Sequence, residues 1–428
     1  MARQQIPASI FDINPQARSA AFVALAILAA LMILPAAQAQ TFSVLHNFTG
    51  GVDGETPFAG ITVAPSGVLY GTAAHGGTNS VGTVFKLSHS SGWLFSPLFE
   101  FSGGNAAIPL GGVVVGPNGA LYGTTYGVGI SYGTVFEMTP PLTFCRSVTC
   151  YWSENVLHTF AGPDGAGPQV ENLVFDGSGN IYGTTMGGGI YNSGTTFELT
   201  PSGGGYTETI LHSFGLGTDG RSPLAGIVFD AAGNIYGTTA QGGTGSPQDC
   251  VGSCGTVYQL MPSSNGWVEN VLVEFDHTNG EHPYGNLIID RSGNLYGTTI
   301  SGGQNGGGIV YKLTPSGGGF TYSIIYSFTS CGSRGGLVED TAGNFFGVCP
   351  NGGGGFGWIF ELTNCSQQCS MVDLHDFSGS DGSMPYGAPV FDANGNLYGT
   401  TQYGGTGSCS NGCGVVWEIA GVGASLEN

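Results

Sequence analysis

One seven-residue string governs what this chain can fold into: GNLYGTT stands at 293–299 and again at 395–401, and GNIYGTT stands at 179–185 and 233–239. Aligning the chain on the aromatic-Gly step gives Tyr70, Tyr122, Tyr182, Tyr236, Tyr296, Phe346 and Tyr398, separated by 52, 60, 54, 60, 50 and 52 residues. Self-similarity at a period near 50 is the mark of a repeat architecture and must be recognised before any local motif is interpreted. There are seven copies.

Each copy carries four strand-like pieces. The first is apolar, as in Ile227-Val228-Phe229-Asp230, and ends in a turn such as Asp230-Ala231-Ala232-Gly233-Asn234. The second is the Leu-Tyr-Gly-Thr piece. The third follows a Gly-rich loop, as in Gly194-Thr195-Thr196-Phe197-Glu198-Leu199, and the fourth alternates with period two, as in Ile210-Leu211-His212-Ser213-Phe214. Asp, Gly and Asn supply the turn conformations, and β-branched and aromatic residues fill the strands. The 79 Gly among 428 residues, beside 11% aromatic residues, argue in the same direction, because Gly disfavours helices. The chain therefore reads as all-β.

A four-stranded antiparallel sheet of this size has two faces and no partner inside its own repeat. Stacking copies radially around an axis buries both faces and leaves only short edges, which is the β-propeller solution. In this reading the repeated Tyr packs between blades, and the Gly after it lets a neighbouring backbone come close. The segment Phe42–Phe48 is a fourth strand with no preceding third, and Gly414–Ile419 is a third strand with no following fourth. The expectation is a seven-bladed β-propeller whose last blade is completed by the N-terminal strand. A closed ring is expected to be monomeric.

Residues 1–39 combine Arg3 and Arg18, an apolar run from Ala20 to Leu34, and Ala37-Gln38-Ala39. They read as a secretory signal peptide, with an uncleaved anchor as the alternative, and leave residues 40–428 as the propeller. That remainder has 6 basic and 27 acidic residues, a formal charge of −21. Such a surface lacks the basic contacts that neutralise phosphates, so nucleic acid and anionic lipid are not expected partners. A secreted, periplasmic or cell-surface location follows, with no membrane span after signal cleavage.

All ten cysteines lie beyond the signal. Eight form close pairs, Cys145/Cys150, Cys250/Cys254, Cys365/Cys369 and Cys409/Cys413, and Cys331 and Cys349 remain. In an exported chain disulfides within these pairs are expected. A zinc reading would want Cys-x-x-Cys units with partners.

The composite unit Gly-Asn-Leu-Tyr-Gly-Thr-Thr, Gly-Gly, Gly-Thr-Val-Phe-x-Leu-Thr-Pro, Leu-His-x-Phe and Asp-Gly-x-x-Pro resembles the GloVer-type tandem repeat of exported, "choice-of-anchor" bacterial proteins. The likeness runs from Thr41 to Ile419. The end departs from that pattern, since Ala420–Asn428 carries neither an apolar segment nor a basic tail. The resemblance implies no general activity. A wider resemblance links the Asp-x-x-Gly-Asn turn to propellers of the NHL, streptogramin-lyase and gluconolactonase types, some of which are enzymes with a metal held on the channel axis. Fold alone does not transfer function.

Asp53, Asp164, Asp219 and Asp381, with Asn279 at the matching place, fall on the loops of one face. A carboxylate ring can bind Ca²⁺, but these copies belong to different blades, and Asp-Gly before Pro is an ordinary turn. His46, His158, His212 and His375 recur in the fourth strand and read as packing residues, because histidines on separate outer strands cannot converge on one metal. Where repeats break their own rule a site becomes more probable. Most copies have small residues leading into the inner strand, as in Ala59-Gly60, Gly111-Gly112 and Ala225-Gly226, whereas other copies place Glu171 and Asn172, Tyr284 and Asn286, Arg334, and Tyr386 there. These six are the candidate ligand-binding residues, with neutral drift as the alternative. No His-Glu-x-x-His or phosphate-binding Gly loop before a helix is present.

The leading expectation is a non-catalytic exported propeller that binds a protein or glycan at one face, with no resident cofactor. The alternatives are a divalent-metal hydrolase or lyase of the gluconolactonase or streptogramin-lyase kind, with a cation near Glu171, Asn172 and Asn286, and a purely structural envelope protein.

Overall fold

The computed structural model describes residues 40–104, 106–129, 131–141, 151–169, 173–244, 254–365 and 368–423. Seven four-stranded sheets form, each ordered inner, second, third, outer. The first blade is Thr62–Val63, Leu69–Ala73, Thr83–His89 and Trp93–Glu100, and the five that follow repeat this order along the chain. The seventh joins Val390–Phe391, Leu397–Thr401 and Val415–Ala420 to Thr41–Asn47. The seven-bladed propeller closed by the N-terminal strand is thus the observed fold.

The turn between inner and second strands explains the conserved wording of the repeats. In Asp176-Gly177-Ser178-Gly179-Asn180, Asp176 Oδ1 accepts from Ser178 N at 2.8 Å and from Asn180 N at 2.9 Å, and Oδ2 accepts from Asn180 Nδ2 at 2.8 Å. Asp230, Asp290, Asp340 and Asp392 bind their turns in the same way. Gly179 has φ +83°, a conformation that L side chains rarely adopt.

The Gly of the Tyr-Gly-Thr step has a different role from the one expected. Its cross-strand partner on the third strand is an aromatic residue in every blade: Phe85, Phe136, Phe197, Tyr258, Tyr311, Phe360 or Trp417. A Cβ on Gly71 would stand 2.5 Å from the Phe85 ring, and one on Gly399 would stand 2.3 Å from the Trp417 ring. The glycine makes room for a ring lying across it rather than, in the main, for a neighbouring backbone. The Tyr does pack between blades: Tyr122 meets Phe175 edge-on at 4.9 Å, and Tyr182 meets Phe229 at 5.0 Å.

In four blades the first Thr after that Gly ties neighbours together. Thr72 Oγ1 donates to Gly111 O at 2.8 Å, Thr184 Oγ1 to Ala225 O at 2.8 Å, Thr298 Oγ1 to Gly335 O at 3.1 Å and Thr400 Oγ1 to Ala59 O at 2.7 Å. Each acceptor lies just before the next blade's inner strand, so a buried hydroxyl and a buried carbonyl satisfy each other across the joint.

The outer strand does not keep the simple alternation its sequence implies. Thr196 opposes His212 but Phe197 opposes Ile210, so Leu211 is an extra residue, and the same shift recurs in every blade. A bulge of this kind adds twist at the rim and re-aims the residue that follows it, which in four blades is the histidine.

Disulfides join Cys331 to Cys349, Cys365 to Cys369 and Cys409 to Cys413. Cys254 is disulfide-bonded as well. Cys145, Cys150 and Cys250 lie outside the described residues. No helix among the described residues is long and apolar enough to cross a membrane.

Two outcomes test this architecture. Removing residues 41–48 strips the seventh blade of its outer strand and takes away Phe48, which is fully buried against Phe85. Aggregation or a large fall in melting temperature is expected, and a truncated chain that melts like its parent would disprove ring closure. Gly399→Ala is expected to lose about 1–3 kcal/mol in urea denaturation, because the Trp417 ring leaves no space for a methyl group.

Candidate functional site

The loops that run from the rim to the axis are built alike. Each starts at the end of an outer strand; five of the seven carry the Asp or Asn279, and six reach a Pro before the inner strand. That Pro packs on the preceding blade: Pro109 Cδ lies so close to Gly82 that a Cβ there would approach to 2.4 Å, and Pro223 stands similarly against Gly194. The residue after it is therefore held in position at the mouth. Around the ring these residues are Phe58, Leu110, Gln169, Leu224, Tyr284, Arg334 and Tyr386, with Ser333 replacing Pro in the sixth blade.

The structure brings three of the expected candidates together. The Arg334 guanidinium lies 5.3 Å from the Tyr284 ring centre and 5.2 Å from that of Tyr386. Phe58 extends the group by stacking on Tyr386 at 5.1 Å. Blades five, six, seven and one thus contribute a continuous arc of two tyrosines, a phenylalanine and an exposed arginine. Phe58 does not break the repeat rule, because small residues follow it at Ala59-Gly60; its constant place after the Pro is the signal in the sequence.

Asn286 stands apart from this arc. Its Oδ1 accepts from Gly226 N at 2.5 Å, which fastens the fifth blade to the fourth. Glu171 and Asn172 lie outside the described residues.

The small residues in the other repeats have a packing cause. A Cβ on Gly285 would stand 2.5 Å from Gly335 O, and one on Gly60 would stand 2.5 Å from Ala388 O. Adjacent blade backbones touch here, so the variation that can carry a ligand sits one residue earlier, at the position after the Pro.

At the rim, the repeated histidines and aspartates turn out to be partners. Nε2 of His46, His158, His212 and His375 lies 3.1, 3.1, 3.2 and 3.0 Å from Oδ2 of Asp53, Asp164, Asp219 and Asp381. In three of the four the other carboxylate oxygen closes the loop by accepting from a backbone N–H, as from Ala161 to Asp164 at 2.8 Å and from Gly215 to Asp219 at 2.9 Å. Asn279 Oδ1 does the same for Asp276 N at 2.9 Å. Burial raises the Asp53 carboxyl, but hydrogen bonds from His46 and Thr49 outweigh it and hold the group below its ordinary value. These pairs are loop clasps far apart around the ring.

Three blades add a glutamate to the same rim. Glu154, Glu208 and Glu269 sit on outer strands, each with one carboxylate oxygen buried and without a hydrogen-bond partner. Burial pushes Glu208 up to about 7, with the charge of Asp164 adding to it, and pushes Glu269 up to about 7, with Asp219 adding to it. Burial likewise lowers His212, against the opposing pull of Asp219.

Two matching segments, 32–151 and 132–335, fit the Gloeobacter/Verrucomicrobia repeat family. The chain belongs to this family. No curated protein sequence matches it. Among solved structures, it is similar to the extracellular domain of a B. thetaiotaomicron protein described as a one-component system, with TM-score 0.53 and 12% identity over 88% of this chain and 40% of that one. A Bacteroides uniformis protein described as a 6-phosphogluconolactonase gives TM-score 0.48 and 15% identity over 78% and 88% of the two chains. A protein described as a gluconolactonase gives 0.46 and 13% over 93% and 97%. At these identities the likeness is one of fold.

The raised Glu208 carboxyl makes a signed prediction. Its folded value of about 7 exceeds the ordinary 4.5, so between those pH values the folded chain holds a proton that the unfolded chain releases. Its contribution to stability is thus full below pH 4.5 and is lost as pH rises towards 7. Glu208→Gln, which stays neutral, is expected to melt above the parent at pH 8 and with it at pH 4; a gap independent of pH would refute the buried-carboxyl assignment.

Proposed function

We propose that this chain is an exported, non-catalytic propeller that binds a glycan or a protein through the mouth of its ring. The observation that carries this reading is the arc of Tyr284, Arg334, Tyr386 and Phe58, where a cation lies between two aromatic faces on a surface otherwise short of positive charge. Aromatic faces offer stacking area to sugar rings or apolar side chains, and arginine offers a fork that fits a carboxylate. The ligand is therefore expected to carry an acidic group beside a ring or apolar patch. The signal-like N-terminus, the three fully described disulfides and the family's exported character support a location outside the cytoplasm.

A metal-dependent hydrolase would need acidic and amide groups converging on the axis. Asn286 Oδ1 accepts from Gly226 N, and Glu171 and Asn172 lie outside the described residues.

The test is a binding screen of residues 40–428 against uronic-acid-containing and neutral glycans and against secreted proteins. Arg334→Ala and Tyr386→Ala are expected to weaken the best ligand found by about 10-fold or more while leaving the melting temperature near the parent's, since each lost contact at such a site costs about 1–3 kcal/mol. Equal binding by parent and variants would place the site elsewhere. A screen without any ligand would favour a structural envelope role.

A further inference from the structure

Four blades carry the same His–Asp clasp, but the next blade presents an aromatic ring to two of the histidines and a glutamate to the other two. Phe95 stacks on His46 at 3.9 Å, and Phe42 stacks on His375 at 3.6 Å, so both imidazoles have an aromatic cover. Between blades three and four the neighbour is Glu269, whose Oε2 lies 3.9 Å from His212 Nε2. With Asp219 Oδ2 at 3.2 Å, the three donor atoms all fall within 4.8 Å of one another. Glu208 is the corresponding neighbour of His158 and Asp164, but that trio does not close into such a group.

We propose that His212, Asp219 and Glu269 bind a divalent transition-metal ion of the zinc class. One imidazole nitrogen with two carboxylate oxygens is a donor set suited to such an ion. Tetrahedral ligands at about 2.0–2.2 Å from a zinc ion stand about 3.3–3.6 Å apart, a span that the 3.2 and 3.9 Å distances from His212 Nε2 to the two carboxylates bracket. The supporting frame is already in place. Gly215 N fixes the other Asp219 oxygen at 2.9 Å, and the His212 ring rests edge-on against the fully buried Phe214 at 4.6 Å. Both strands that supply ligands belong to packed blades, which suits a preorganised site. Glu269 Oε1 is buried with no partner, an arrangement that a cation on the same carboxylate compensates.

The site faces a cleft of about 430 Å³, lined in part by Ile190, Tyr191 and Leu216, which are exposed although apolar. Three protein ligands leave a position for water or an oxygen of a bound molecule, and the cleft gives access to it. An acidic ligand with an apolar portion fits a cation beside such a wall.

The competing occupant is a proton on Glu269, and metal titration separates the two. Purified chain, stripped with chelator at pH 7.5, is titrated with Zn²⁺ by calorimetry and with Co²⁺ by visible absorption. One ion per chain is expected, together with a cobalt spectrum of low coordination number and a higher melting temperature. His212→Ala and Glu269→Gln should each lower affinity at least about ten-fold, the loss that even an outer-shell partner causes. His375→Ala, in the clasp that the next blade covers with Phe42 instead of a glutamate, should bind as the parent does. Melting curves of the ion-free variants establish that each is folded. The proposal fails if the stripped parent takes up no stoichiometric ion, if the folded His212 and Glu269 variants bind like the parent, or if His375→Ala loses binding to the same extent.

Discussion

A small sheet that is apolar on both faces cannot stand alone, and every repeated residue in this chain answers to that constraint. Burying both faces requires a neighbour on each side, and closing the series requires that neighbouring backbones meet near the axis. The joint is made of complementary parts: a Thr hydroxyl for the next blade's carbonyl, a Tyr ring for the next blade's aromatic residue, and a Pro ring for the preceding blade's Gly. Hydrogen bonding and ring packing thus act at the same seam, and in this position each is shielded from water. The many glycines follow from how near the backbones and rings must come, rather than from a need for looseness.

The fold was largely legible because its signals repeat. Seven aligned aromatic-Gly steps, turn residues at fixed offsets and a strand missing from each end were enough to give blade number, strand order and closure. What escaped was whatever depends on a register between strands. The Gly of the Tyr-Gly-Thr step could be seen to matter, but only pairing shows that Phe85 or Trp417 lies across it. The bulge at Leu211 was hidden because a period of two looks the same on paper whether or not one residue is looped out. His46 and Asp53 read separately along the chain, as a strand residue and a loop residue. Their steady spacing of six or seven positions was the unused clue that a tight turn brings them together.

The candidate site was legible in part, and for a related reason. Tyr284, Arg334 and Tyr386 were found because they interrupt the run of small residues, and the geometry places them side by side. Phe58 completes the group without seeming exceptional, since an apolar residue after Pro is common in the other repeats. At the rim, Glu269 lay in a strand that otherwise alternates ordinarily, and nothing along the chain ties it to His212 in the neighbouring blade. Pairings across a blade boundary are the least visible from sequence, and both clusters described above lie on such boundaries.

The shared seventh blade also sets the order in which the molecule can be completed. Asn47 Oδ1 accepts from Thr406 N across 359 positions of chain, and Thr400 bonds Ala59 across 341. Each of the first six blades can assemble from contiguous chain, but the first strand made must wait, unpaired, for almost the last one. Such remote pairing is slow to form, because the entropy of bringing distant segments together is lost before contacts compensate it. Until that moment the third strand of the seventh blade has an unpaired edge. Closure thus carries the largest loop-entropy cost in the fold, since it joins strands from opposite ends of the described chain.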